Sequence, residues 1–148
     1  MPGQPVDTDK LFQQYYETPE FSDIVRSDLD IDRLYFEAIT CYADKQFTEA
    51  VELFERVVQI DKNNMKAHLA AGISNIETNQ PTKAEESFVI VIEQKDNLYV
   101  DQANWYLGLC YLKMNNLEDA GKQFDMIALD DRSYKQAMAK KILKKLDK

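Results

Sequence analysis

Apolar and polar positions alternate along this chain with the period of a helix. Phe54, Phe88 and Phe124 each have an apolar residue three places on, Val57, Val91 and Ile127, so each pair shares one helical stripe. Near the C-terminus Tyr134, Met138, Ile142 and Leu146 form another stripe, and six lysines between 135 and 148 supply its polar side. Helix start signals agree with these stripes. Asn64 stands before a helix from Met65, and Asn116 before a helix from Leu117 with Asp119 at its third position. Pro81 falls in the first turn of the helix carrying Ala84, and Ser133 with Gln136 reads as a capping box. Ser27 is expected to cap a helix beginning near Leu29, whose positive end gathers Asp28, Asp30 and Asp32. The run FVIVI at 88–92 argues the other way, because it is apolar, mostly β-branched and strand-like when read locally. The helical phase of Ala84 and Phe88 decides for a helix.

The stripes repeat. An alanine and a phenylalanine four apart occur as Ala50 and Phe54, Ala84 and Phe88, and Ala120 and Phe124, at offsets of 34 and 36 residues. Twelve residues before each alanine stands a small residue, Ala38, Gly72 or Gly108. Three copies follow, 31–64, 65–98 and 101–134. Their period and letters resemble the tetratricopeptide repeat, whose signature runs W-x2-L-G-x2-Y, then A-x3-F, then P. The third copy matches best through Leu107, Gly108, Tyr111, Ala120 and Phe124, although Trp105 stands one place late and Asn104 holds the tryptophan slot. In the first two copies Leu34 and His68 replace the tryptophan, and Cys41 and Asn75 replace the tyrosine. Lys62, Asp96 and Arg132 take the place of the closing proline.

The resemblance implies an all-α fold, a right-handed α-solenoid of three helix hairpins with an N-terminal helical segment and a C-terminal capping helix at 134–147. Residues 1–26 then form an irregular or helical lid segment and residues 27–148 the repeat domain. In each hairpin the small residues Ala38, Gly72 and Gly108 are expected to face Ala50, Ala84 and Ala120, so that the two helix backbones approach closely. The closing pattern, WYLGLCYLK followed by a tyrosine-led helix ending in ILKKL, looks like repeat domains from bacteria of the Bacteroides group.

Composition narrows the chemistry. With 148 residues, 45% hydrophobic and 30% charged, and a mean hydropathy of -0.50, the chain suits one compact domain and is too polar to be embedded in a membrane. No apolar stretch approaches a membrane span, and MPGQPVDTDK lacks the features of a secretory signal. The expected compartment is therefore the cytoplasm, or the cell envelope if the chain is part of a membrane-anchored protein. Cys41 and Cys110 form no C-x-x-C, and a single histidine, His68, cannot complete a zinc site. The net charge of -8 disfavours nucleic acid as a partner. Asp28, Asp30 and Asp32 imitate a calcium loop, but Arg33 and Ile39 stand where glycine and glutamate are required. His68 and Cys41 could pair as base and nucleophile, yet both occupy slots that the resemblance assigns to packing, and no third residue orients them. No catalytic residue, cofactor or metal is expected. The lysines of the tail read as the solvated side of its helix, because no aromatic residue apart from Tyr134 interleaves them.

The resemblance also implies a concave face lined by the first helix of each repeat. Positions 5, 9 and 12 give Tyr35, Ile39 and Tyr42, then Leu69, Ile73 and Ile76, then Trp105, Leu109 and Leu112. Repeat domains that clamp a chaperone's C-terminal carboxylate use lysine, asparagine and arginine at corresponding places, and this chain has none of them there. The implied function is a non-enzymatic protein-interaction scaffold that binds an apolar peptide or helix. Residues 7–25 supply an alternative. Leu11, Phe12, Tyr15, Tyr16, Phe21, Ile24 and Val25 make this segment too apolar for a free tail, with a break at Pro19. It is expected to fill the groove as a lid, or as an arm exchanged in a homodimer, which would make the chain a self-associating module.

Overall fold

The structure, a computed structural model, describes residues 5–21 and 30–147. Met1, Ile24, Val25, Ser27, Asp28 and Leu29 lie outside the described residues, and with them the expected cap at Ser27. The described residues form helices α1 (Thr8–Tyr15), α2 (Asp30–Ala43), α3 (Phe47–Ile60), α4 (Met65–Glu77), α5 (Pro81–Glu93), α6 (Val100–Lys113), α7 (Leu117–Ala128) and α8 (Gln136–Leu146). Among these residues there is no strand, and FVIVI lies within α5, with Phe88 and Val91 buried and Ile90 exposed. The fold is an all-α helical repeat. The hairpins α2–α3, α4–α5 and α6–α7 coincide with the three sequence copies.

The chain forms two compact units, Thr18–Val100 and, discontinuous in sequence, Met1–Glu17 with Asp101–Lys148. In the first, α2 packs on α3, α3 on α4 and α4 on α5. Helix α4 is covered so widely that eleven of its thirteen residues are buried, which removes the one-sided stripe seen in α3. In the second unit α7 packs on α8, whose apolar side buries Ala139 and Ile142.

The alanines and phenylalanines that mark the repeat, together with Val57 and Val91, are fully buried. The glycines answer to the phenylalanines. A Cβ at Gly72 would fall 2.5 Å from the Phe88 ring, and one at Gly108 would fall 2.7 Å from the Phe124 ring. Glycine in these two copies therefore makes room for the aromatic ring of the second helix, a finer constraint than the facing alanine that the sequence suggested.

Each hairpin turns in the same way. Lys45, Asn79 and Asn115 adopt left-handed φ values of 59°, 59° and 56°. The next N–H reaches back five residues, from Gln46 to the Cys41 carbonyl (2.8 Å), Gln80 to Asn75 (2.7 Å) and Asn116 to Tyr111 (2.9 Å). A second bond runs from each left-handed residue to the carbonyl three back. This is the Schellman arrangement, which satisfies the carbonyls at a helix end.

The caps at Asn64 and Asn116 form as expected, with side chains accepting from Ala67 N (3.0 Å) and Asp119 N (3.1 Å), and Pro81 opens α5. The capping box at Ser133 does not form. Helix α8 starts at Gln136, two residues later than expected, and Ser133 Oγ accepts from Lys135 N, only two residues on. The Gln136 amide donates instead to the Ala128 carbonyl (3.0 Å) and Asp131 Oδ1 (2.9 Å), so it cannot reach back to Ser133.

Candidate functional site

The nine first-helix positions are almost entirely shielded. Ile39, Tyr42, Leu69, Ile73, Ile76, Trp105, Leu109 and Leu112 are buried, and Tyr35 is half-buried. Two parts of the N-terminal segment meet these residues, one in each unit.

In the discontinuous unit the covering element is α1. Asp7 caps it by accepting from Lys10 N at 3.1 Å, and its apolar side chains fall at helical spacing, burying Leu11 and Phe12 and leaving Tyr15 half-buried. The Tyr15 ring meets Trp105 edge-on at 6.4 Å, and Tyr16, stacked on Phe12 at 4.7 Å, meets Tyr106 edge-on at 6.1 Å. These offset and edge geometries are the favourable ones for aromatic pairs, each contributing about 0.5–1.5 kcal/mol beyond area burial. Trp105 also packs edge-on against Phe124 at 5.7 Å, so a contact with α1 reaches the hairpin core through one ring.

Hydrogen bonds fix the ends of this helix. Thr8 Oγ1 donates to Asn115 Oδ1 (3.3 Å), at the left-handed turn of the third repeat. The Tyr106 hydroxyl donates to the Glu17 carbonyl (2.7 Å). Burial, with Tyr134 and Glu17 adding to it, pushes the Tyr106 phenol above its ordinary pKa, so it stays a donor through the neutral range.

In the other unit the chain after the helix does similar work without helical structure. Phe21 meets the Tyr42 ring edge-on at 5.1 Å, and the Tyr42 hydroxyl donates to the Pro19 carbonyl at 2.5 Å. Tyr42 in turn packs against Phe47 (5.5 Å) and Phe54 (6.5 Å). Beside these residues Lys45 and Glu20 border an open cleft of about 370 Å³.

His68 is buried, and its Nε2 donates to the Lys62 carbonyl at 3.0 Å, tying α4 to the loop before it. Burial, followed by the carboxylates of Glu49, Asp44 and Glu37, raises the Cys41 thiol above its usual pKa, the opposite of what a thiolate nucleophile needs. Cys110 is fully buried. Among the described residues no helix is long and apolar enough to cross a membrane.

Sequence reasoning singled out Phe12, Tyr15, Tyr16 and Phe21 as too apolar to be free, but not their contacts. It missed Tyr106 entirely. Tyr106 sits at position 6 of the repeat, beside the expected face, and its only sequence signal is an aromatic next to Trp105.

The hairpins and their turns define the class, an all-α helical-repeat protein of tetratricopeptide-like fold. No protein-family model matches the chain. It is similar to the "Protein STIP1 homolog" of Dictyostelium discoideum, a tetratricopeptide-repeat protein, at 28% identity over 112 residues. That match covers 72% of this chain and 20% of the relative, so the chain spans about a fifth of that protein's length. The likeness to Bacteroides-group domains gains no support from this match.

Proposed function

We propose that this chain is a non-enzymatic protein-interaction module whose first-helix positions take an apolar, aromatic-bearing segment, and that its own N-terminal segment is the resident occupant. The observation that carries this reading is the pair of edge-on contacts that Tyr15 and Tyr16 make with Trp105 and Tyr106. A face that already holds a short aromatic helix has the chemistry to hold another from a protein partner. Helix α1 has eight residues, too few to be stable in isolation, so its order depends on the surface beneath it. Such an element is readily displaced. The likeness to a tetratricopeptide-repeat relative supports the coarser part of the reading, a scaffold for protein partners.

A second reading is favoured by the sequence gap inside one unit. Residues 5–17 pack with residues that begin at 101, so the same contacts could be made by α1 of another copy. This is the self-associating module.

The test is to substitute Phe12→Ala and Tyr15→Ala in the full chain and follow a dye sensitive to exposed apolar surface, alongside light scattering. The proposal expects a monomer before and after, with dye fluorescence rising severalfold. A dimer that dissociates on substitution establishes the swapped arm instead. Unchanged dye binding with unchanged mass removes both readings.

A further inference from the structure

Three lysines from separate stretches of the discontinuous unit stand over aromatic rings, two of them over rings of α1 and the third over Trp105, which Tyr15 meets edge-on. Lys113 Nζ, in the last turn of α6, stands 4.9 Å from the centre of the Phe12 ring. Lys145 Nζ, late in α8, stands 5.9 Å from the Tyr15 ring and donates to Gln14 Oε1 at 2.8 Å. Lys135 Nζ lies 4.9 Å from the Trp105 ring and 5.2 Å from that of Tyr134. All are within the roughly 6 Å at which an ammonium is attracted to the ring quadrupole. Among the described residues none of the three makes an ion pair.

The resident segment that carries α1 is acidic. Residues 5–17 carry Asp7, Asp9 and Glu17 against Lys10 alone, and all three carboxylates are exposed. An aromatic, negatively charged segment thus lies among three ammonium groups without giving any of them a carboxylate at ion-pair distance. Its fit is also incomplete, because a cleft of about 90 Å³ remains between Gln14, Tyr15 and Glu17 on one side and Trp105, Lys135 and Met138 on the other.

Resting on the function proposed above, we infer that the partner recognised by this face is an acidic amphipathic helix. It places aromatic side chains at the i, i+3 and i+4 spacing of Phe12, Tyr15 and Tyr16. Its flanking carboxylates reach the rim formed by Lys113, Lys135 and Lys145, which the resident leaves unpaired. The rings supply the buried area, and the lysines select the charge of what brings them.

The probe is a labelled peptide of residues 5–17, followed by fluorescence anisotropy against the full chain and against the full chain carrying Phe12→Ala and Tyr15→Ala, which loosens the resident helix. The loosened chain is expected to bind the probe about 10-fold more tightly than the unaltered chain, since the resident no longer competes. That binding weakens with added salt, as expected of partly exposed charges. In the loosened background a probe carrying Gln14→Glu, which puts a carboxylate where Gln14 Oε1 accepts from Lys145, binds about 5-fold more tightly than the unaltered probe, and Lys135→Gln with Lys145→Gln removes that gain. Should the double substitution fail to fold by circular dichroism, Tyr15→Ala alone gives the same ordering. A Gln14→Glu probe that binds no better than the unaltered one overturns the charge recognition and leaves the apolar reading standing. If neither probe binds a loosened, folded chain, both fall. A dimeric unaltered chain that becomes monomeric on loosening assigns the site to a second copy's α1 and overturns the inference.

Discussion

The first and third repeats build the same hairpin from different chemistry. In the third, Phe124 lies over Gly108, where a Cβ would fall 2.7 Å from the ring. In the first, the corresponding position is Ala38, a fully buried residue with a real Cβ, so Phe54 cannot approach in the same way. There the ring is met by two tyrosines, Tyr35 at 6.3 Å and Tyr42 at 6.5 Å, whereas Phe124 is met by Trp105 at 5.7 Å. The turns differ likewise, with Lys45 in the left-handed position of the first and Asn115 in that of the third. So do the caps. Gln46 makes no side-chain cap bond, while Asn116 accepts from Asp119 N and donates to Asp119 Oδ2 at 2.7 Å. What the repeat specifies is a crossing of two helices and a left-handed turn, and the consensus letters are one solution to it. The third copy uses residues suited to each local demand. The first relies on extra rings.

The phenylalanines test this most severely. Phe124→Ala is expected to cost about 3–5 kcal/mol, because a glycine floor and a rigid indole leave the vacated space unfilled. Phe54→Ala should fall toward the lower end of that range, since Tyr35 and Tyr42 flank the site and can lean in. Urea unfolding of both variants measures the difference, and equal losses would erase the distinction between the two cores.

Next in size are the floors themselves. Gly108→Ala improves helix propensity by about 1 kcal/mol, yet it is expected to destabilise by about 1–3 kcal/mol net because Phe124 must be pushed from its place. Combining it with Phe124→Leu should recover part of the loss, the sign of direct coupling. Ala38→Gly relieves nothing and should cost about 1 kcal/mol through helix propensity alone. A stabilising Gly108→Ala would show that the close approach is softer than its geometry.

The same comparison explains what could be read from the sequence. Hairpin number was legible from the repeat at offsets of 34 and 36 residues, and the caps at Asn64 and Asn116, the start at Pro81 and the helical state of 88–92 from spacing within some fifteen residues. The shared left-handed turn was less so, since Lys45 hides a conformation that Asn79 and Asn115 advertise. Ser133 and Gln136 have the letters of a capping box, but Gln136 is claimed by Ala128 and Asp131, which no pattern reveals. The first-helix positions were legible as apolar; what covers them was not. Tyr106 reaches Glu17 across 89 residues and Lys145 reaches Gln14 across 131, separations that leave no periodic trace.

Tyr106 gives a pH dependence confined to the third repeat and α1. Its pKa is raised by burial, so below the unfolded tyrosine value near 10 the phenol is protonated in both states and its contribution to stability is fully present. Above that value the unfolded chain loses the proton first, and stability falls as pH rises. Tyr106→Phe should lose about 0.5–1.5 kcal/mol at neutral pH, from the bond to Glu17, and flatten the alkaline decline. Cys41 and Tyr134 are shifted in the same direction, so the diagnostic quantity is the difference between variant and unaltered chain across pH 8–11. A parallel decline in the two would mean that Tyr106 does not link α1 to alkaline stability.

The smallest effects expected are gains, and they lie in the first repeat. Lys45 holds a left-handed φ of 59° with a long side chain, a conformation that costs an ordinary residue about 1 kcal/mol more than glycine. Lys45→Gly should therefore stabilise by about 0.5–1 kcal/mol. Asn115→Gly should gain little, because asparagine tolerates the region and Asn115 Oδ1 accepts from Thr8. Gln46 occupies a cap position without capping, so Gln46→Asn should add about 0.5 kcal/mol by accepting from the N–H of Glu49. Asparagine is a better choice than aspartate, since Asp44 and Glu49 already crowd the neighbourhood of Cys41 with negative charge. The two substitutions are adjacent, and their gains need not add. If neither raises the urea midpoint, the first turn is held by the hairpin around it rather than by its own residues, and the contrast between a self-sufficient third repeat and a dependent first one becomes sharper.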